Sequence, residues 1–305
     1  MEKRRVAEIL AGRQTLEGAG VKLKRAFGSP QMAPFFDPFL LLDDFGSRFP
    51  HEYLAGFPWH PHRGIETVTY LLKGEVHHED STGTSGILRN GDLQWMDAGS
   101  GIFHAEMPKP AKKPDGSEDP EMRGFQLWVN IPAEHKMDDP GYKTLQRDSV
   151  PVVELDGGAI VRLVAGELKK VPSVGNITGP IRDTRVDANY LDIQLPPETE
   201  MNYTVREGYT AFAYVTEGSA EFGDERKMAG DHSVVLFHRD GDTVRVRSGD
   251  SETRLLLISG RPLHEPVAWY GPVVMNTKDQ LIKAFQELET GEFVKRKATN
   301  YTYVS

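Results

Sequence analysis

The sequence predicts an all-β protein, a sandwich or barrel, built twice over. Three observations carry this expectation. First, short apolar segments recur along the chain: ETVTYLL, DLQWM, GFQLWVNIP, AIVRLVAG, NYLDIQL, TAFAYVTEG, HSVVLF and TRLLLISG. They are rich in β-branched and aromatic residues, as strands are. Second, 30 glycines and 20 prolines lie scattered between them as turn punctuation. Third, the halves repeat two features in the same order. YLLKGEV at 70–76 matches YVTEGSA at 214–220, and a Gly-Asp pair follows each, GDLQWM from Gly91 and GDHSVVLF from Gly230. This ordered pair points to an internal duplication. At ~150 residues per domain, the 305-residue chain suits two domains. The polar, turn-bearing stretch AEHKMDDPGYKTLQRDS, 133–149, places their junction, giving domains 1–140 and 141–305.

Two segments break the strand pattern. TKDQLIKAFQELE, 277–289, sets Leu281, Ile282, Phe285 and Leu288 on a helical stripe, with Asn276 or Thr277 as N-cap and Gly291 just past the end. Residues 107–121 are polar and proline-rich and read as an exposed loop, the Lys109–Lys113 group being solvated within it.

Composition excludes several functions. The formal net charge of −9 repels phosphate backbones, so no nucleic-acid partner is expected. No apolar run approaches ~20 residues, which argues against a spanning helix. The basic N-terminus lacks the apolar core of a signal peptide, so a cytoplasmic protein is expected. With no cysteine, disulfides and thiolate metal sites are excluded, and any metal must be held by nitrogen and oxygen.

The chemistry concentrates in the first half. His60 and His62 are two apart, and in extended chain such residues project to one side. Glu66 has the same parity and continues that face by count. His104 and Glu106 repeat the i, i+2 spacing, separated from the first pair by enough chain to fold back beside it. Three imidazoles and a carboxylate suit iron, manganese, copper, nickel or zinc, and spacing leaves both Glu66 and Glu106 open as the carboxylate. Aligning the repeats sets Thr204 and Arg206 against His60 and His62, and Thr243 and Arg245 near His104 and Glu106. The second copy therefore lacks the ligands, which argues for a function confined to the first. His77 and His78 read as solvated residues at a hairpin turn. Trp59, Trp95 and Trp128 read as barrel filling, while Phe57, Gln126 and Trp128 are candidates to line a cavity. Arg63 is either a substrate contact or structural.

The stretch WHPHRGIETVTYLLKGEVHHEDSTGTSGILRNGDLQWMDAGSGIFHAEMP resembles the pirin family of the cupin superfamily. DPFLLLDDF at 37–45, FQLWVNIP at 125–132 and HEPVAWYGPVVMNT at 264–277 extend the resemblance over most of the chain. It implies a bicupin, two face-to-face antiparallel β-barrels of jelly-roll type with a short C-terminal helix and metal only in the first. It implies iron, as Fe2+, bound by His60, His62, His104 and Glu106, with Glu66 beyond the ligand set. It implies a quercetin 2,3-dioxygenase-like activity on a small aromatic chelating substrate, with Glu106 or Glu66 taking the substrate proton. The alternative it implies is an iron-dependent regulator that acts through a protein partner, in the nucleus if the source is eukaryotic. A monomer is expected, because a bicupin can bury sheet surface between its own halves.

Overall fold

A computed structural model describes residues 2–171, 175–295 and 299–301. The first part of the chain forms β1 (Val6–Ala11), β2 (Arg13–Glu17), β3 (Val21–Gly28), β4 (Phe39–Ser47), β5 (Phe57–His62), β6 (Ile65–Lys73) and β7 (Glu75–Asp80). It continues with β8 (Ser85–Leu88), β9 (Leu93–Asp97), β10 (Ile102–Lys109), β11 (Ala111–Lys112), β12 (Glu118–Asp119), β13 (Met122–Asn130) and β14 (Gly141–Leu145). A four-residue helix, α1 (Ala33–Phe36), precedes β4. Next come β15 (Val152–Glu154), β16 (Ile160–Ala165), β17 (Glu167–Val171), β18 (Gly175–Thr178), β19 (Asn189–Leu195), β20 (Glu200–Thr204) and β21 (Thr210–Glu217). The rest comprises β22 (Ser219–Phe222), β23 (Lys227–Gly230), β24 (Ser233–Phe237), β25 (Thr243–Ser248), β26 (Thr253–Gly260), β27 (Ala268–Tyr270), β28 (Val273–Met275), α2 (Lys278–Thr290) and β29 (Thr299–Tyr301). No helix among the described residues is long and apolar enough to cross a membrane.

The chain divides into two units. The histidine unit comprises Arg13–Phe35, Phe39–Arg147 and His264–Ser305; the apolar unit comprises Met1–Gly12, Phe36–Pro38 and Asp148–Leu263. This differs from a single cut after residue 140. β1 leaves its own half to pair with β24, Ile9 facing Val235. The chain from His264 returns to the histidine unit, bringing α2 with it.

Each unit is built around two large sheets, beside small two-stranded ones, and the strand orders of the large sheets correspond. The histidine unit has β2-β3-β4-β13-β6-β9-β14-β29 and β5-β10-β7-β8. The apolar unit has β15-β16-β19-β26-β21-β24-β1 and β20-β25-β22-β23. The repeated YLLKGEV and YVTEGSA segments are the β6–β7 and β21–β22 turns. Each pivots on a left-handed glycine, Gly74 at φ 95° and Gly218 at φ 78°, a conformation that side chains with a Cβ disfavour.

The interiors differ. The apolar unit is filled by one hydrophobic cluster drawn from both sheets, including Leu163, Leu191, Tyr203, Phe222, Val244 and Leu257. The histidine unit has separate apolar clusters, one around Leu23, Phe45, Leu71 and Val76 and another around Leu40, Ile65, Met96 and Val274. Polar side chains occupy the space left open.

Two local expectations are refined. Thr277, not Asn276, caps α2. Its hydroxyl accepts from Gln280 N at 3.2 Å and its amide donates to Gln280 Oε1 at 3.1 Å, a capping box, and Gly291 closes the helix at φ 76°. Leu281, Phe285 and Leu288 pack on Val273, Met275 and Phe293, whereas Ile282 is 56% exposed because it lies off that face. Within residues 107–121, β11 and β12 pair as a small hairpin rather than leaving a bare loop.

Candidate metal centre

β5 and β10 pair antiparallel with His104 opposite His60 and Ile102 opposite His62. A ligand atom of each of His60, His62 and His104 lies within 4.8 Å of the others. The ring centroids are 4.8 Å apart for His60 and His62, 4.4 Å for His60 and His104, and 5.1 Å for His62 and His104. Carbonyl oxygens orient two of the rings: His60 Nδ1 lies 2.8 Å from Pro58 O, and His62 Nδ1 lies 3.3 Å from Pro272 O. Each Nδ1 therefore carries the proton, which leaves the Nε2 lone pair for a ligand role. Both nitrogens of buried His104 lack a protein hydrogen-bond partner.

Burial holds all three imidazoles below their ordinary pKa, His62 at about 3. They are neutral, the state a metal requires. Neutral converging nitrogens and an orphaned buried imidazole fit a transition-metal ion.

Glu106 lies two residues along β10 from His104 and lines the same cavity, but its carboxylate falls outside the cluster of three imidazoles. Its Oε1 lies 3.1 Å from the Thr69 hydroxyl, which also lies 2.6 Å from Gln126 Oε1. Burial pushes Glu106 up to about 7. His60, His62, Glu106, Phe57, Gln126 and Trp128 all line one cavity of about 780 Å³, within the range of small-molecule sites. Trp59 is 49% exposed at this cavity instead of filling the barrel, and Trp269 and Tyr270 join it.

Glu66 departs from the face that its spacing suggested. It faces Val129 on β13, one residue out of step with the inward pair Thr69 and Gln126. Its carboxylate accepts from Trp95 Nε1 at 2.9 Å. The cause is the joint between β5 and β6, where Gly64 turns at φ 75° and the count of two restarts. A Cβ there would meet Val274 O at 2.0 Å. Glu66→Gln should therefore leave metal content per chain unchanged while lowering stability by about 1–2 kcal/mol through the weakened buried hydrogen bond. Elemental analysis beside urea denaturation checks this, and loss of metal would return Glu66 to the ligand set.

His78 also departs from expectation. It lies within β7 and is buried, opposite Glu106, with Nε2 3.0 Å from the Gln94 amide nitrogen. The one-residue correction extends to the second copy. Thr204 points outward, while Tyr203 and Val205 are buried, and Tyr203 pairs with Val244 as His60 pairs with His104. The inward positions there are Tyr203, Val205, Val244 and Val246, all in the apolar core. A shift by one residue reverses the face of a strand.

Two anchors lie beside the centre, of which the sequence singled out Arg63 but not Lys136. Arg63 is tied down: Nε donates to Ser100 O at 2.7 Å, Nη2 to Phe293 O at 2.7 Å, and Nη1 pairs with Glu287 at 2.7 Å. Its role is structural. Lys136 is 1% exposed and donates to Gly64 O, Asn130 Oδ1 and Val274 O at 2.7, 2.7 and 3.0 Å. Three acceptors match the three donors of an ammonium group. The only sequence signal for either is a charge beside an apolar run.

Paired β-sheet units, one filled by apolar side chains and the other holding a histidine cluster able to take a metal, define a cupin-type two-domain protein. Residues 20–129 match the pirin family model and residues 190–294 match the pirin C-terminal cupin domain. The chain belongs to the pirin family. A pirin-like protein of Caulobacter vibrioides is 44% identical over 96% of this chain and 100% of its own length. Human pirin is 37% identical over 95% of this chain and 93% of its own. The crystal structure of a quercetin 2,3-dioxygenase from Acinetobacter baumannii superposes with a TM-score of 0.84 at 29% identity, covering 96% of this chain and 99% of that one.

Proposed function

We propose that this chain is a mononuclear iron oxygenase acting on a flavonol or another enolisable, chelating aromatic, with His60, His62, His104 and Glu106 as ligands. The observation that carries the reading is the convergence of three neutral imidazoles, two buried and one half-buried, on a largely apolar cavity of about 780 Å³. An ion held there would supply Lewis acidity and a redox partner for dioxygen. The protein supplies the rest. Phe57, Trp128 and Pro108 give the cavity apolar walls. The Thr69 hydroxyl orients the Glu106 carboxylate, which would accept the substrate hydroxyl proton on leaving the ion. Glu66, facing the other side of its sheet, leaves that role to Glu106.

A Glu106 ligand makes metal uptake depend on pH. Its pKa is raised to about 7, so below that value a proton must leave before the ion binds. Burial lowers the histidines, so they add no competing protonation near pH 7. Apparent affinity should rise by about tenfold per pH unit up to about pH 7 and then level off. Calorimetric titration across this range checks it, and a flat profile would remove Glu106 as a ligand.

The activity test mixes iron-loaded protein with quercetin under air and follows flavonol absorbance, with His60→Ala alongside. Loss of absorbance in the wild type alone supports the enzyme. No turnover, together with redox-dependent capture of a partner protein, favours the regulatory alternative.

A further inference from the structure

Inside the histidine unit, one cross-strand row is polar from end to end. Arg25 on β3 faces Asp43 on β4, Asp43 faces Gln126 on β13, Gln126 faces Thr69 on β6, and Thr69 faces Gln94 on β9. Arg25 donates through Nε and Nη2 to Asp43 at 2.8 and 2.7 Å, and its Nη1 lies 2.8 Å from Glu17. Glu17, Arg25, Asp43 and Gln126 line the same cavity as His60, His62 and Glu106. Apolar rungs flank the row, Leu23 with Phe45 on one side and Leu41 with Trp128 on the other.

The duplicate unit is an internal control. Its corresponding row, on β16, β19, β26, β21 and β24, is Leu163, Leu191, Leu257, Ala213 and Val235. Thr69 and Ala213 each precede their turn glycine, Gly74 or Gly218, by five residues, which fixes the correspondence. This arrangement of strands therefore closes on five apolar residues without a polar row. Burying charge costs stability unless the groups are paired, so the row in the histidine unit points to a ligand.

We infer that Glu17, Arg25, Asp43 and Gln126 form a subsite for neutral hydroxyl groups on a flat aromatic substrate, and that this subsite rejects anionic groups. The carboxylates already occupy the guanidinium, leaving it no free fork for a substrate carboxylate. Two carboxylates against one guanidinium also leave the subsite net negative. A substrate hydroxyl can instead donate to spare carboxylate lone pairs, and the Gln126 amide offers donors. The flanking Leu41, Trp128, Leu23 and Phe45 would sandwich the ring. This rests on the reading above that a chelating aromatic enters the cavity.

The test titrates metal-loaded protein with three probes and follows tryptophan fluorescence. The probes are 3-hydroxyflavone, its 3′,5′-dihydroxy derivative, whose meta hydroxyls cannot chelate, and its 4′-carboxylate. All three share the chelating group and differ at the far end. The dihydroxy probe should bind about tenfold tighter than 3-hydroxyflavone, and the carboxylate at least about tenfold weaker. Glu17→Gln at the cavity rim and Asp43→Asn should each narrow both gaps while leaving 3-hydroxyflavone binding within about twofold. Glu17→Gln, with a partly exposed side chain, keeps the test valid if Asp43→Asn fails to fold. Equal binding of the three probes, or gaps unchanged in Glu17→Gln, overturns the subsite and leaves the chelation reading standing. Failure of 3-hydroxyflavone to bind metal-loaded protein overturns both.

Discussion

Replacing His104 with alanine is expected to abolish stoichiometric metal binding and flavonol turnover while barely lowering the stability of the metal-free protein. His104 sits between β5 and β7, paired with His60 on one side and Asp80 on the other. It is 2% exposed, and neither ring nitrogen has a protein partner. A buried imidazole without hydrogen bonds adds little to folding, because its polar atoms lose water and gain nothing from the protein. On the proposed reading its worth lies in holding the metal. Outer-shell substitutions at metal sites cost about 10–100-fold in affinity, so loss of a ligand should cost more than about 100-fold. Thermal unfolding with and without ferrous iron separates the two effects. At metal a hundred times above Kd, the wild type should gain about 2.7 kcal/mol, and His104→Ala should gain nothing. A variant that still gains that increment would show that the triangle of imidazoles is not the binding site.

Arg63→Ala should lower stability by about 3–5 kcal/mol. The guanidinium is 2% exposed and joins three parts of the chain: the β9–β10 connection through Ser100, helix α2 through Glu287, and the segment after α2 through Phe293. It also lies over the Phe293 ring, 4.1 Å from the centroid. Alanine leaves two buried carbonyls without a donor. Glu287 keeps Lys295 at 3.0 Å, which places the loss toward the lower end of that range. Arg63→Lys should recover little, because an ammonium cannot serve three divergent acceptors with the geometry of a guanidinium fork. Urea denaturation checks this, with the midpoint falling and the slope unchanged. Because Arg63 follows His62, metal affinity should weaken as well, by less than loss of a histidine. A midpoint within experimental error of the wild type would show that α2 is held by its apolar contacts alone.

Much of this architecture is legible in the sequence because strand formation and tight turns are local. The β-branched and aromatic content of ETVTYLL and TAFAYVTEG, the turn glycines Gly74 and Gly218, and the Thr277 and Gly291 caps each depend on a few neighbouring residues. The histidine cluster is legible for the same reason, since His60 with His62 and His104 with Glu106 each lie within a single strand, where i and i+2 must share a face. Parity is lost at a joint. Counting from His62 to Glu66 crosses Gly64, whose left-handed backbone restarts the alternation, so tertiary structure alone assigns Glu66 to Trp95 and Glu106 to the cavity. The same limit hid His78, whose strand reaches the interior only through its pairing with β10, and shifted the second-copy positions by one. The row from Arg25 through Asp43 and Gln126 to Thr69 takes one residue from each of four strands. Its alignment is set by cross-strand register, which no single segment encodes. The sequence by itself determined the strands, the duplication and the three imidazoles. Only tertiary structure decided which carboxylate faces the cavity and which bonds to Trp95, because register and the faces of neighbouring strands depend on turns and on pairing across the whole sheet.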